Sequence, residues 1–210
     1  MKLADAVAVV RTQGERTEQL CARLAFEQFD DVTLINVAPF GEAVRECYRI
    51  GIDSGAKWLV TIDADMLIAP DYAERMSDIV RDLPDDVWQV LGDTDDKLSM
   101  SVRQGGLRLH RVSALPGLIE RVQDDAVRPE SALCHAVGGW KYVNVVTCRH
   151  DYEQWFADLH RKGAQHRRKH KGWAWTVVPC WRESGDPDLV AAWQGWQGVA
   201  LSCRREKAPL

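Results

Sequence analysis

Over the first 94 positions, short apolar runs alternate with stretches of helical spacing. Ala6-Val7-Ala8-Val9-Val10, Val32-Thr33-Leu34-Ile35-Asn36-Val37, Trp58-Leu59-Val60-Thr61-Ile62 and Val87-Trp88-Gln89-Val90-Leu91 are rich in apolar and β-branched side chains. Runs of this length with little polar alternation predict strands covered on both faces. Between them, residues 15–28 carry Leu20, Leu24 and spaced alanines, and residues 41–54 set Val44, Tyr48 and Ile52 on one face, predicting two helices. Pro70 opens a third, with Asp71 and Glu74 where negative charge meets the helix dipole. Gly92 marks the end of the fourth strand. Strands and helices in this alternation predict an α/β fold, a mostly parallel sheet flanked by helices, with ligands bound beyond the carboxyl ends of the strands.

Beyond residue 94 the alternation loosens. Gln104-Gly105-Gly106-Leu107-Arg108-Leu109-His110-Arg111 predicts a glycine turn entering a strand, with a helix near residues 113–122 and a polar loop over 124–131. Residues 141–147 read as a strand and residues 151–170 as a long basic helix with Trp155 and Leu159 turned inward. Trp173 and Trp175 alternate as in a strand, and residues 187–196 form a last helix. No internal repeat or low-complexity tract is present.

Composition narrows the function classes. A chain of 210 residues, 46% hydrophobic and 28% charged, builds one ordinary domain. Its apolar runs are too short to span a bilayer, and its first residues lack a signal-peptide pattern. Cysteines 21, 47, 134, 148, 180 and 203 are scattered without a Cys-x-x-Cys pair, which argues for reduced thiols and a cytoplasmic location over a disulfide framework or zinc finger. Charge is uneven. Residues 1–148 hold 16 Lys/Arg against 24 Asp/Glu, residues 149–210 hold 11 against 7, and six of the nine tryptophans lie in that basic end. A short, basic, Trp-rich C-terminal segment fits an anionic partner, or simply a solvated helix face.

The most pointed chemistry is Ile62-Asp63-Ala64-Asp65-Met66. Two carboxylates one residue apart, just past a buried strand, can offer hard oxygens to a divalent ion such as Mg2+ or Mn2+, which commonly bridges protein carboxylates to phosphates. An ordinary strand-to-helix loop is the plainer use of the same pattern. There is no Gly-x-x-x-x-Gly-Lys-Ser/Thr loop, no Gly-x-Gly-x-x-Gly and no Gly-x-Ser-x-Gly elbow. His160, His166 and His170 include an i, i+4 pair, although a solvated basic face accounts for it as well.

These features resemble a GT-A-fold nucleotide-sugar glycosyltransferase of the family-2-like kind. The resemblance rests on Arg11-Thr12 after the first strand, Gln28-Phe29, Asn36, and above all Ala56-Lys57-Trp58-Leu59-Val60-Thr61-Ile62-Asp63-Ala64-Asp65-Met66 followed by Pro70-Asp71. It continues in Gly105-Gly106-Leu107-Arg108-Leu109-His110-Arg111 and in Arg149-His150-Asp151-Tyr152-Glu153-Gln154-Trp155-Phe156-Ala157-Asp158-Leu159-His160-Arg161-Lys162, which is similar to a late His-Asp-aromatic-Glu-Gln block of some bacterial transferases. It implies a single domain over 1–210, with a Rossmann-like donor half over 1–94 and an acceptor half over 95–210. The donor implied is a UDP, GDP or dTDP sugar, and the cofactor is Mn2+ or Mg2+. Asp63, Asp65 and His150 are then the metal candidates, with a helix cap as the plainer role of His150. Arg11, Thr12, Asn36, Arg45 and Asp63 are the donor-binding candidates, with Arg49 a further cation for the diphosphate. Asp151 is the candidate base that deprotonates the acceptor hydroxyl, with Asp124, Asp125 and Glu153 as rivals. The acceptor implied is a small molecule or glycan. Residues 161–171 and the nearby tryptophans keep open a DNA acceptor bearing a hydroxylated base. A nucleotidyltransferase on the same fold, or a non-catalytic nucleic-acid or sugar-binding module, is the alternative class.

Overall fold

The computed structural model describes residues 2–124, 126, 128–168 and 172–199. Asp125, Lys169, His170, Lys171 and Cys203 fall outside them. A seven-stranded sheet has the order β2-β1-β3-β6-β5-β7-β4. Its strands are β1 (Ala6–Arg11), β2 (Asp31–Ile35), β3 (Trp58–Asp63), β4 (Met66–Ile68), β5 (Gln89–Asp96), β6 (Ser101–Arg111) and β7 (Trp140–His150). The β1–β2, β1–β3 and β5–β7 pairs are parallel, and β6 and β4 run against their neighbours. Most strands therefore share one direction, as the sequence pattern predicts.

The two-residue period of β1 divides the core. Ala6, Ala8 and Val10 pack on one face with Cys21 and Ala25 of α1 (Glu18–Gln28) and Tyr72 and Met76 of α3 (Tyr72–Arg81). Val7 and Val9 pack on the other with Val44, Cys47 and Tyr48 of α2 (Phe40–Ser54) and Leu133 of α4 (Pro129–Val137). All six residues of β1 are buried, so the wholly apolar run is what a strand between two helical layers requires.

Several elements depart from the sequence expectations. The fourth strand runs through Gly92 to Asp96 instead of ending there. A Cβ at Gly92 would lie 2.3 Å from Thr147 Cγ2, so this glycine admits the neighbouring strand where the register shifts. The loop expected over 124–131 contains the start of α4, with Pro129 in its first turn. The helix expected near 113–122 is two 3-10 turns, Val112–Gly117 and Ile119–Arg121, with Pro116 inside the first. The basic helix, α5 (Phe156–Arg168), begins five residues later than Asp151. Trp173 and Trp175 stand in a helix, α6 (Gly172–Glu183), and not in a strand.

α5, α6 and α7 (Pro187–Gln197) form a third hydrophobic cluster around Trp181, Leu159 and Trp196. It is tied to the sheet by Trp181 Nε1, which donates to Leu98 O at 2.8 Å, and by Lys97 Nζ on Asp188 at 2.5 Å and Asp186 at 3.1 Å. The tryptophans of the tail are thus mainly packing residues; Trp175 is the one classed as exposed. α5 and α7 cross with almost no space between them, since a Cβ at Gly163 would lie 1.9 Å from Ala192 O. Gly163→Ala is expected to force the two helices apart and to cost about 1–3 kcal/mol. A urea-denaturation midpoint equal to that of the wild type would refute this close crossing.

Candidate active site

Chain register assembles the site. Arg11 ends β1 and faces Asp63 at the end of β3, which puts both at the carboxyl edge of the parallel strands. Arg11 Nε and Nη2 each lie 2.9 Å from Asp63 Oδ1, and its Nη1 lies 3.1 Å from Glu130 Oε2 in the first turn of α4. Glu130 Oε1 also accepts from Thr61 Oγ1 at 3.0 Å and lies 3.6 Å from His110 Nε2. Burial disfavours the Arg11 charge, but Asp63 and Glu130 outweigh it and keep the guanidinium ionised. Burial likewise pushes the Glu130 carboxyl up, and Arg11 and the His110 and Arg108 contacts overcome it, holding Glu130 below the usual carboxylate range. Asp63 remains above that range, because burial exceeds the compensation from Arg11.

Past Asp63 the chain turns back sharply. Ala64 N donates to Arg11 O at 2.9 Å, and Thr17 Oγ1 donates to Ala64 O at 2.6 Å, fixing the turn that presents Asp65. The short β4 then pairs with β7 in the register Met66↔His150, and Asp151 N donates to Asp65 O at 3.2 Å. This pairing explains why residues 85 and 86 positions apart in sequence meet.

Asp65, His150 and Asp151 each offer a ligand atom, and these atoms lie within 4.8 Å of one another. His150 Nε2 is 3.4 Å from Asp65 Oδ2, while its Nδ1 lies 2.9 Å from Asp96 Oδ2 at the end of β5. Asp96 in turn is clasped by Arg103. Lys162 of α5 reaches in, its Nζ 2.5 Å from Asp65 Oδ2 and bonded also to Asp151 Oδ1. Asp151 is buried and has a left-handed backbone, φ 64°, a conformation uncommon outside glycine and often held at functional sites. Burial works against the Asp65 charge, yet Lys162 and His150 hold its carboxyl well below the ordinary range. Burial also lowers His150, but Asp151 and Asp65 dominate and raise it well above an ordinary imidazole.

The donor set suits a divalent ion. Asp65 Oδ1 is buried and has no hydrogen-bond partner, an acceptor waiting for a cation. The Asp96–His150 contact occupies Nδ1 and leaves Nε2 towards the cage, the carboxylate–histidine arrangement that orients a ligating imidazole. Two carboxylates and an imidazole match the hard and intermediate ligands of Mn2+.

The remaining candidates are dispersed. Arg11, Thr12, Gln13, Val37, Asp63 and Asp65 help line a cavity of about 150 Å3 beside the cage. Thr12 Oγ1 lies 2.9 and 2.5 Å from carboxylate oxygens of Glu15 and Glu18, to one of which it donates, and Asn36 Oδ1 accepts from Gln13 Nε2 at 3.2 Å. Arg45 is directed elsewhere, to Asp124 Oδ1 at 2.6 Å, Glu42 at 3.0 Å and Val122 O at 2.7 Å. Arg49 pairs with Glu42 and Glu46 on the same helix. Of the rival bases, Asp124 is on Arg45, and exposed Glu153 pairs with Arg16. His160 meets Val199 O and His166 packs on Trp173. A second cavity of about 200 Å3 lies between Asp63, His150, Arg103, Arg108, Arg128 and Glu130. It continues, through Arg108, Arg128 and Ser131, into a third of about 310 Å3 that reaches His135 and Trp140.

Sequence reasoning missed Asp96, Glu130 and Lys162. Asp96 lay hidden behind the apparent strand end at Gly92, and Glu130 inside a stretch read as loop. Lys162 was counted with the solvated basic face, although it stands three residues after Leu159, on the inward side of α5.

No protein-family model matches the sequence, and no curated protein matches it either. Among solved structures, the chain is similar to a mannosyltransferase from Pyrobaculum calidifontis in complex with GDP-Man and Mn2+. The TM-score is 0.50 at 13% identity, covering 96% of this chain and 76% of that one. It is also similar to a glycosyltransferase involved in glycosylation of the major capsid of PBCV-1, with TM-score 0.48 and 8% identity over 70% of this chain and 93% of that chain. A third similarity is to 4-diphosphocytidyl-2C-methyl-D-erythritol synthase from Anaerococcus prevotii, with TM-score 0.47 and 12% identity over 70% and 89% of the two chains. The fold is thus GT-A-like, an α/β structure with a seven-stranded, mostly parallel sheet flanked by helices. Among the described residues no helix is long and apolar enough to cross a membrane.

Proposed function

We propose that this chain is a metal-dependent glycosyltransferase that moves a sugar from a nucleotide-sugar donor to an acceptor hydroxyl. One observation carries the proposal: Asp65, His150 and Asp151 form a cation cage with an unpartnered Asp65 oxygen, at the strand edge where α/β sheets bind ligands. The Mn2+ and GDP-Man bound by the Pyrobaculum mannosyltransferase agree with it in kind.

In this assignment the nucleotide enters the cavity at Thr12, Gln13 and Val37, and the sugar lies towards Asp63 and His150. Asp65, Asp151 and His150 would hold the ion, which when bound offsets the charge that grows on the diphosphate as the glycosidic bond breaks. Asp96 fixes the ring of His150. Arg11 serves by holding Asp63 and Glu130 in place and not by touching the diphosphate, since both carboxylates already engage it. Asp151, the base candidate, faces Lys162 and His150 with its two oxygens, so we assign it to the cage. The acceptor enters by the third cavity, where Arg108 and Arg128 offer donors and Trp140 an aromatic face. This geometry favours a small molecule or glycan over DNA, because most tail tryptophans that would stack on a base are packed into the helical cluster.

A thermal-shift panel of UDP, GDP, CDP and dTDP, each with Mn2+ and with EDTA, tests the proposal. A ligand that binds only the native state at about 100 times its Kd adds about 2.7 kcal/mol of stability. One nucleotide is expected to raise Tm with Mn2+ and to lose that effect in EDTA. No shift with any nucleotide would sink the donor-site assignment.

A further inference from the structure

Lys162 reaches the cage as a built feature. Its side chain is only 14% exposed, and the residue after it, Gly163, is one of the points where α5 and α7 touch backbone to backbone. α7 is itself pinned to the sheet through Asp188 and Lys97, and α6 through Trp181 and Leu98. The segment between sheet and α5 is held too: Gln154 Nε2 donates to Thr17 Oγ1 at 2.7 Å, and Arg16 pairs with Glu153 at 3.0 Å. The helical cluster therefore carries one ammonium group to a fixed place, between Asp65 Oδ2 and Asp151 Oδ1.

Those two oxygens belong to the two carboxylates that the cage offers a divalent ion, beside the unpartnered Asp65 Oδ1. An ammonium has three donors and no acceptor, so it can neutralise a carboxylate pair but cannot ligate a metal that arrives beside it while it keeps its proton. A metal ion held at about 2.0–2.2 Å by the same two carboxylates would stand against an ammonium nitrogen hydrogen-bonded between them. Two cations on one pair of carboxylates also repel.

We propose that Lys162 is a resident cation of the cage, and that a divalent ion held by Asp65 and Asp151 enters by exchange with its ammonium group. The lysine keeps Asp65 and Asp151 neutralised in the metal-free protein and makes metal binding weaker than three ligands would otherwise give. The ligand is a divalent cation with oxygen and imidazole preference, Mn2+ before Mg2+. This proposal takes from the glycosyltransferase assignment only the identity of the cage as a cation site.

The test uses the whole chain and Mn2+ alone, without nucleotide. Free Mn2+ is followed by electron paramagnetic resonance during titration of the wild type, Lys162→Met and Asp65→Asn. The Met variant keeps the aliphatic stem and is expected to bind Mn2+ about tenfold more tightly or better, a difference of about 1.4 kcal/mol or more. Asp65→Asn is expected to bind least. A second measurement needs no variant at Lys162, which guards against a Met variant that does not fold. Wild-type protein is acetylated briefly with and without Mn2+, and Lys162 is read by peptide mass spectrometry. Its reactivity is expected to rise with Mn2+, while surface lysines such as Lys2 and Lys57 stay constant. Equal Mn2+ affinity in wild type and Lys162→Met, with binding lost in Asp65→Asn, would overturn the exchange and leave the glycosyltransferase assignment standing. Unchanged Lys162 reactivity at saturating Mn2+ would do the same. Absence of Mn2+ binding in every protein would overturn both the exchange and the metal dependence, and nucleotide shifts in EDTA would then decide whether a donor site exists.

Discussion

Asp65→Asn is expected to lower sugar transfer by about 10²–10³-fold or more, the range seen when one preorganised group facing developing charge is removed. The donor for the assay is the sugar of whichever nucleotide stabilises the protein, and release of the nucleoside diphosphate is the readout. The substitution preserves shape and keeps one carbonyl oxygen, so the β4–β7 pairing that presents residue 65 is untouched. What it removes is charge. Asp65 Oδ2 is shared by Lys162 and His150, and Oδ1 is the unpartnered acceptor of the cage. An amide there neutralises neither cation, and its NH2 group either meets both of them or takes the place of the free acceptor, so Mn2+-dependent nucleotide stabilisation should vanish together with turnover. If transfer persists within about threefold of the wild type while Tm is unchanged, Asp65 does not stabilise the transition state and the cage is structural.

The sheet and the first carboxylates were legible because their signals are local. The apolar runs of β1 and β3 carry their own period and burial, and Asp63 and Asp65 stand at the end of such a run. His150 was legible only through resemblance; the physical cause of its meeting Asp65 is the register of β4 with β7, and β4 has three residues, too few to show a pattern. Gly92 looked like a terminator because a glycine has the same appearance in sequence whether it ends a strand or admits a neighbour such as Thr147. Trp173 and Trp175 suggested alternation, but Ala174, Val178 and Trp181 supply the buried side of a helix. Arg11 and Arg45 were alike as cations near a donor site. Their difference lies in distant partners, Glu130 for one and Asp124 for the other, which no local spacing reveals. Lys162 is the extreme case, since its role depends on a contact 97 residues away.

Arg11→Met is the second change expected to have a large effect, and on stability instead of chemistry. The guanidinium is 8% exposed and sits between Asp63, a third exposed, and Glu130, 5% exposed. Removing it leaves Glu130 with weaker help at 3.6 Å from Arg108 and from His110. Breaking a buried pair by deleting one member costs about 3–5 kcal/mol, because the remaining charge stays desolvated. The loss should depend on pH in a definite sense. Burial raises Glu130, but Arg11 first and then its other partners hold it below its unfolded value of about 4.3. A carboxyl depressed in the native state stabilises it fully above the unfolded pKa, and that contribution is lost as pH falls through the native one. Without Arg11, burial is opposed less, and Glu130 moves up towards or past its unfolded value. The variant's deficit should therefore be greatest near neutral pH and shrink below about pH 4, where Glu130 of the variant can protonate and shed its uncompensated charge. Guanidinium denaturation resolves the two conditions poorly because its salt screens charges, so urea at pH 7 and pH 4 is the measurement. A deficit of equal size at both values would mean that Arg11 does not govern the ionisation of Glu130. A deficit under about 1 kcal/mol at pH 7 would mean that the Asp63–Arg11–Glu130 bridge does not hold the strand edge on which the site is built.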